Sequence, residues 1–129
     1  MSQSSDIDLS RRERQIMDIV FQQGPTSVAD VRGRLPSRPS YSAVRALMRI
    51  LERKGHLTHR KEGNKYIYLP TRSRREASES AARRLLQTFF DGSASKAVAA
   101  LLEVSDLRPG DAELDRLAEM IDQARKEGR

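Results

Sequence analysis

Between residues 39 and 68 the chain carries Tyr41, Ser42, Arg45, Arg49, Arg60, Lys61, Asn64 and Lys65, side chains suited to phosphate oxygens and base edges. An Arg fork can pair with O6 and N7 of guanine, and each Lys or Arg that neutralises a duplex phosphate releases a condensed counterion. The stretch PSYSAVRALMRILERKGHLTHRKEGNKYIY reads as one amphipathic helix, a Gly stop and a two-stranded hairpin with a basic, Gly-containing tip. Val44, Leu47, Met48 and Leu51 recur at three- and four-residue spacing as an apolar stripe, with Ser42, Arg45 and Arg49 on the opposite side. One face packs and the other can touch a partner. Ser40 is the expected N-cap, since its hydroxyl can accept from an unpaired first-turn amide, and Gly55 supplies the left-handed residue that ends the helix.

With Ser40, these residues form the expected DNA-binding set, and each has a competing role. Arg45 could pair with Glu52 or another surface carboxylate. Tyr41 could pack on the preceding helix with its hydroxyl on a phosphate, and Ser42 could merely extend the cap. Arg60, Lys61, Asn64 and Lys65 could form a charged turn that touches nothing. His56 and His59, taken as strand residues three apart, project to opposite faces, and no cysteine or carboxylate cluster accompanies them. Neither a metal site nor a cofactor is expected. Without a cysteine nucleophile or a glycine-rich phosphate loop, the chain does not read as an enzyme.

The flanking sequence supplies the elements that would position this surface. Residues 1–8 read as a disordered tail. Ser10 and Glu13 have the spacing of a capping box, Ile16, Ile19 and Val20 mark a core stripe, and Gly24-Pro25 ends the first helix near Gln23. Val28, Val31 and Leu35 repeat through a short second helix over residues 28–35, and the Pro-rigid link of residues 36–39 makes a helix-turn-helix. In the hairpin, Leu57, Ile67 and Leu69 are candidates to fold back on the helices, and an extended residue near Thr26 could add a third short strand. Ser73 and Glu76 open a long helix toward Phe90, a shorter one follows over residues 95–103, and another begins after Pro109-Gly110. Leu85, Leu86, Phe89, Val98, Leu101, Leu102, Leu114, Leu117 and Ile121 line these last helices, which have too little core of their own. Their apolar faces most simply meet a second copy of the chain, as a dimer interface.

Charge separates the two halves. Residues 1–72 carry 14 Lys/Arg against 7 Asp/Glu, whereas residues 73–129 carry 10 against 11, so the excess belongs to the first half. Within residues 32–65, 10 basic residues face only Glu52 and Glu62, an electrostatic footprint for phosphates. A chain of 129 residues allows one small domain with a helical extension. It has no cysteine for disulfides, no apolar run near the roughly 20 residues of a membrane span and no signal-peptide core, so a cytoplasmic location is the default.

The ordered set Leu9-Ser10 with Glu13 and Ile16-Met17, then Tyr41-Ser42-Ala43-Val44-Arg45 with Leu47, Arg49 and Leu51, then Lys54-Gly55 and Leu57, resembles the BlaI/MecI penicillinase-repressor family. Tyr66-Ile67-Tyr68 and Leu114 with Leu117 complete the match, which spans about residues 8–125. The resemblance implies a winged helix, a homodimer formed through the C-terminal helices, and repression from a palindromic operator. Two residues depart from the family pattern: Ala43 stands where a small hydroxyl residue is usual, and Ala100-Leu101 where some members carry a cleavable Asn-Phe pair. The copper-responsive relatives' cysteine-rich tail has no counterpart here.

The expected fold is therefore mainly α with a β-hairpin wing: a winged helix-turn-helix domain over residues 9–72 and a helical dimerisation region over residues 73–129. The expected function is a sequence-specific DNA-binding repressor, homodimeric on a palindromic operator. Its partners would be double-stranded DNA, a second copy of itself and an unidentified inducing protease or signal, with no membrane. The competing reading is a winged-helix interaction module whose basic face binds an acidic protein.

Overall fold

Capping chemistry sets where the helices begin. The computed structural model describes residues 9–104, 106 and 108–128; the tail expected over residues 1–8 lies outside them. Helix α1 is Arg11–Gln23, α2 is Val28–Arg34 and α3 is Tyr41–Arg53. Strands β1 (Leu57–Glu62) and β2 (Lys65–Pro70) follow, then α4 (Arg74–Phe89), α5 (Ala94–Glu103) and α6 (Asp111–Lys126). At α1 the Ser10 hydroxyl accepts from the Glu13 amide at 3.2 Å, and the Glu13 carboxylate accepts from the Ser10 amide at 2.8 Å. This is the expected capping box. Ser27 and Ser40 cap α2 and α3 by accepting from the amides of Asp30 and Ala43; each such cap is worth about 1 kcal/mol. Ser73 and Glu76 repeat the reciprocal pair at α4, at 3.0 and 3.1 Å. Gly55, at φ 89°, supplies the positive-φ backbone that ends α3.

The apolar faces of α1, α2 and α3 close on one another. Ile16, Met17, Ile19, Val20, Val28, Val31, Leu35, Val44, Met48, Leu51, Leu57 and Tyr68 form one buried cluster, with Leu9, Phe21 and Leu47 at its margin. Burying a large apolar side chain contributes roughly 1.5–3 kcal/mol, so this core can steady a two-stranded hairpin that would be marginal alone. The base of β1 lies against α3, and β2 against α1 and α2.

The strands pair antiparallel from Leu57 with Pro70, through His59 with Tyr68 and Lys61 with Tyr66, to Glu62 with Lys65. Opposite and alternate residues share a pleat face, so Leu57, His59, Lys61, Tyr66 and Tyr68 lie on one side and Thr58, Arg60, Glu62, Lys65, Ile67 and Leu69 on the other. This register corrects the expectation that Leu57, Ile67 and Leu69 fold back together. Leu57 and Tyr68 are each 2% exposed, whereas Ile67 and Leu69, on the opposite face, are only half-buried. Thr26 does join the hairpin, as an isolated bridge: its amide donates to the Tyr68 carbonyl at 3.0 Å and its carbonyl accepts from the Tyr68 amide at 2.7 Å. His56 is buried in the segment before β1 and is not a strand residue, so strand alternation does not set the two histidines apart.

The chain divides into two compact units between Ser80 and Ala81, inside α4. In the second, α5 starts one residue earlier than the pattern suggested, because Ser93, and not a later serine, caps it by accepting from the Lys96 amide at 3.2 Å. Neither α5 nor α6 contributes a buried residue.

Candidate nucleic-acid interface

Helix α3 is anchored at both ends by side chains from other elements. In the turn before it, Ser37 and Arg38 have positive φ, 62° and 28°. Non-glycine residues in such sparsely populated backbone cost on the order of 1–3 kcal/mol each and persist only where their surroundings fix them. Two guanidiniums do so here: Arg12 Nη1 donates to the Pro36 carbonyl at 3.0 Å and Arg32 Nε to the Pro39 carbonyl at 2.7 Å. Beyond the other end of α3, Lys54 Nζ donates to Glu13 Oε1 at 3.0 Å. Burial pushes the Glu13 carboxyl up, but the Ser10 amide and the Lys54 ammonium outweigh it and hold the group below the ordinary glutamate value.

With Val44, Met48 and Leu51 buried, α3 turns Tyr41, Ser42, Ala43, Arg45 and Arg49 outward. Ser27, Val28 and Ala29 at the start of α2, Tyr41 and Arg45 on α3, and Lys61, Asn64, Lys65, Tyr66 and Tyr68 of the hairpin line an open cleft of about 420 Å³. Five residues singled out from the sequence thus share one concavity: Tyr41, Arg45, Lys61, Asn64 and Lys65. Tyr41 is 51% exposed and lines the cleft beside the start of α2. Burial raises the pKa of the Tyr68 hydroxyl and Glu52 adds to the shift, while Arg49 and Arg45 oppose it.

The remaining candidates sit elsewhere. The Ser40 hydroxyl accepts from the Ala43 amide at 3.1 Å and lies 3.3 Å from the Ser42 hydroxyl, so both serines take part in the cap. Arg60, on the pleat face opposite Lys61, does not line the cleft and its Nε donates to Glu62 Oε2 at 2.6 Å, whereas Lys65, at the turn end of that same face, does line it. Glu52, the competing partner for Arg45, instead holds His59: Nδ1 lies 2.8 Å from both carboxylate oxygens. Among the described residues no ion pair includes Arg45. Arg32, Lys54 and Arg60 are each bonded within the fold, so the raw charge count overstates the cationic surface that a polyanion would meet.

Tyr66, Tyr68 and the Ser27-Val28-Ala29 segment complete the cleft and lie outside the DNA-binding set expected from the sequence. Tyr66 was within reach of sequence reasoning, because a two-residue turn at Gly63-Asn64 places it opposite Lys61 on the same face. No local pattern announces the α2 segment, which packing of α2 against α3 and β2 brings to the cleft. In the second unit, Leu85, Phe89, Val98, Leu101, Leu102, Leu114 and Ile121 are exposed, and Leu86 and Leu117 are half-buried. Met120, 66% exposed, and Val104 add to the apolar surface.

A family model described as penicillinase repressor matches residues 9–123. No curated protein matches the chain. Among solved structures, a transcriptional regulator of Thermotoga maritima aligns at 19% identity with a TM-score of 0.55, over 95% of this chain and 78% of its own. A MarR-family protein of Bacillus stearothermophilus aligns at 16% identity and TM-score 0.52, over 98% and 79%. FabT of Streptococcus pneumoniae, solved in complex with DNA, aligns at 16% identity and TM-score 0.50, over 90% and 78%. At these identities the likeness is one of fold, the winged helix.

Proposed function

The chain belongs to the penicillinase-repressor family, whose fold is that of winged-helix transcriptional regulators, and on that premise we propose that it represses transcription as a homodimer on a palindromic operator. The observation that carries the reading is the shared cleft, where the outward face of α3 and the basic hairpin converge through Tyr41, Arg45, Lys61, Asn64 and Lys65. The fold shared with FabT, solved in complex with DNA, supports it.

In this reading the first turns of α3 enter the major groove. Arg45 pairs with guanine O6 and N7, which contributes roughly 1–3 kcal/mol of discrimination if both bonds form. Tyr41 and Ser42 flank that contact, Ser40 stands at the phosphate side of the helix start, and Arg49 meets phosphate one turn further on. Lys61, Asn64 and Lys65 follow the backbone from the wing, with Arg60 a secondary contact. Ala43 can touch a thymine methyl but cannot donate a hydrogen bond, so the operator differs at that contact from one read by a hydroxyl residue. Residues 9–72 serve as the DNA-binding domain and residues 73–129 as the dimerisation region, where the apolar side chains of α4–α6 meet a second copy and space two recognition helices for two half-sites.

Selection of duplexes from a random pool, followed by footprinting, tests this directly. The expected result is an inverted repeat whose half-site centres lie about 34–36 Å apart or a multiple of it, bound with affinity that falls steeply as salt rises. Retention of no duplex at low salt overturns the reading and leaves the basic face to an acidic protein. Sedimentation as a monomer at micromolar concentration overturns the homodimer.

A further inference from the structure

The wing is anchored at its base by Leu57, Tyr68 and the Thr26 bridge, but its tip carries the basic residues of the cleft. Among the described residues, one side-chain hydrogen bond ties the hairpin beyond its base to a helix: His59 Nδ1 on β1 to the Glu52 carboxylate in the last turns of α3. An ionised carboxylate only accepts, so Nδ1 is the protonated nitrogen. The His59 ring then stacks on Tyr66, with centroids 4.4 Å apart and planes at 18°, and is tilted against Tyr68 at 5.6 Å. Tyr66 is paired with Lys61, and both line the cleft. A continuous path thus runs from α3 through Glu52, His59 and Tyr66 to the wing cation Lys61.

We propose that Glu52 and His59 are positioning residues that set the angle of the wing against the recognition helix, so that α3 and the wing cations engage one duplex together. The proposal rests on the DNA-binding reading and adds a role to two residues that need not touch DNA. Its consequence has an unusual sign. Glu52 is a negative charge on the helix that carries Arg45 and Arg49, so charge counting alone says that removing it tightens binding to a polyanion. Positioning says the reverse, because a wing without its brace no longer presents Lys61.

A double-mutant cycle on the full chain and its selected duplex, with Glu52→Ala and Lys61→Ala, separates the two. The expected results are weaker binding by Glu52→Ala and a smaller effect of Lys61→Ala in that background, with a coupling of at least about threefold in Kd. The slope of log affinity against log salt should fall by about one unit in Glu52→Ala, as for Lys61→Ala, since the same phosphate contact is lost. Glu52→Gln, which keeps a carbonyl acceptor for Nδ1, should restore most of the affinity. In the free protein, amides of residues 60–66 should exchange roughly tenfold faster in Glu52→Ala while those of α1 do not change, a local opening and not global loss of fold. Equal or tighter binding by Glu52→Ala, additive effects, or unchanged exchange in the hairpin each overturns the proposal. If the unaltered protein retains no duplex, the DNA-binding reading itself falls, and the proposal with it.

Discussion

Helices α1–α3 and helices α5–α6 carry the same kind of amphipathic pattern, yet Ile16, Val20, Val31, Val44, Met48 and Leu51 reach an interior while no residue of α5 or α6 does. In the first unit three short helices and a hairpin surround one cluster, and each apolar face finds another within the same chain. In the second, Phe89 is 72% and Ile121 57% exposed. Apolar periodicity states that a face must be covered, and the fold decides whether the cover comes from within. The first unit should therefore owe its stability to its own core, and the second to association. Leu51→Ala, at a fully buried position, tests the first half of the contrast and should destabilise the fold by about 2–5 kcal/mol. All three tyrosines lie in the first unit, so tyrosine fluorescence during urea unfolding reads that unit alone. A loss below about 1 kcal/mol would mean that this core is not what holds it.

Charge divides the units in the same way. Glu13 is buried against Ser10 and Lys54, whereas Lys96–Asp91 and Arg116–Glu113 in the second unit are exposed pairs. Glu13→Gln removes the charge from a buried ion pair and should cost about 1–3 kcal/mol at neutral pH. Because burial is outweighed by the Ser10 amide and Lys54, the folded-state pKa of Glu13 lies below the ordinary 4.5. Its stabilisation is then present above that ordinary value and lost as pH falls through the lowered one. Urea midpoints of the unaltered protein and Glu13→Gln should converge on acidification. A difference that persists undiminished below the folded-state pKa would show that the pair does not act through ionisation.

Leu101→Asp reverses the test by altering an exposed apolar residue of α5. It should leave the tyrosine-detected unfolding of the dissociated chain within about 0.5 kcal/mol. If α5 helps form the dimer, the dissociation constant should rise about tenfold, equivalent to 1.4 kcal/mol, because a carboxylate is desolvated at the interface. Sedimentation equilibrium over a concentration series measures the shift. Unchanged self-association would remove α5 from the interface and leave α4 and α6 to form it.

Local chemistry was legible wherever one short segment decides the outcome. The Ser10/Glu13 and Ser73/Glu76 capping boxes, the Gly55 stop and the outward face of α3 all depend on spacing within a few residues. Strand registration was the failure: Ile67 and Leu69 look more apolar than Tyr68, but pairing through Gly63-Asn64 puts Tyr68 on the Leu57 face and buries it. A count of basic residues overstates the free cationic surface for a related reason. Glu13 captures Lys54 across 41 residues of sequence and the Pro39 carbonyl captures Arg32, partners that no count of basic residues reveals.

The smallest expected effect compares two adjacent cations of the wing. Arg60 and Lys61 are indistinguishable by sequence as phosphate ligands, but strand alternation sends Lys61 to the cleft and Arg60 to the other face, where Glu62 accepts from it at 2.6 Å. Both partners are about half exposed, so the pair stabilises the hairpin by no more than about 1 kcal/mol, and Arg60→Ala should scarcely move the urea midpoint. On DNA, Lys61→Ala should lower the salt slope by about one unit, and Arg60→Ala by less than half of that. The comparison also has a built-in control: Glu62→Gln releases Arg60 from its ion pair, and any phosphate contact Arg60 can make should then strengthen. If Arg60→Ala and Lys61→Ala reduce the slope equally, the duplex reaches both faces of the hairpin, and the cleft is not the boundary of the interface.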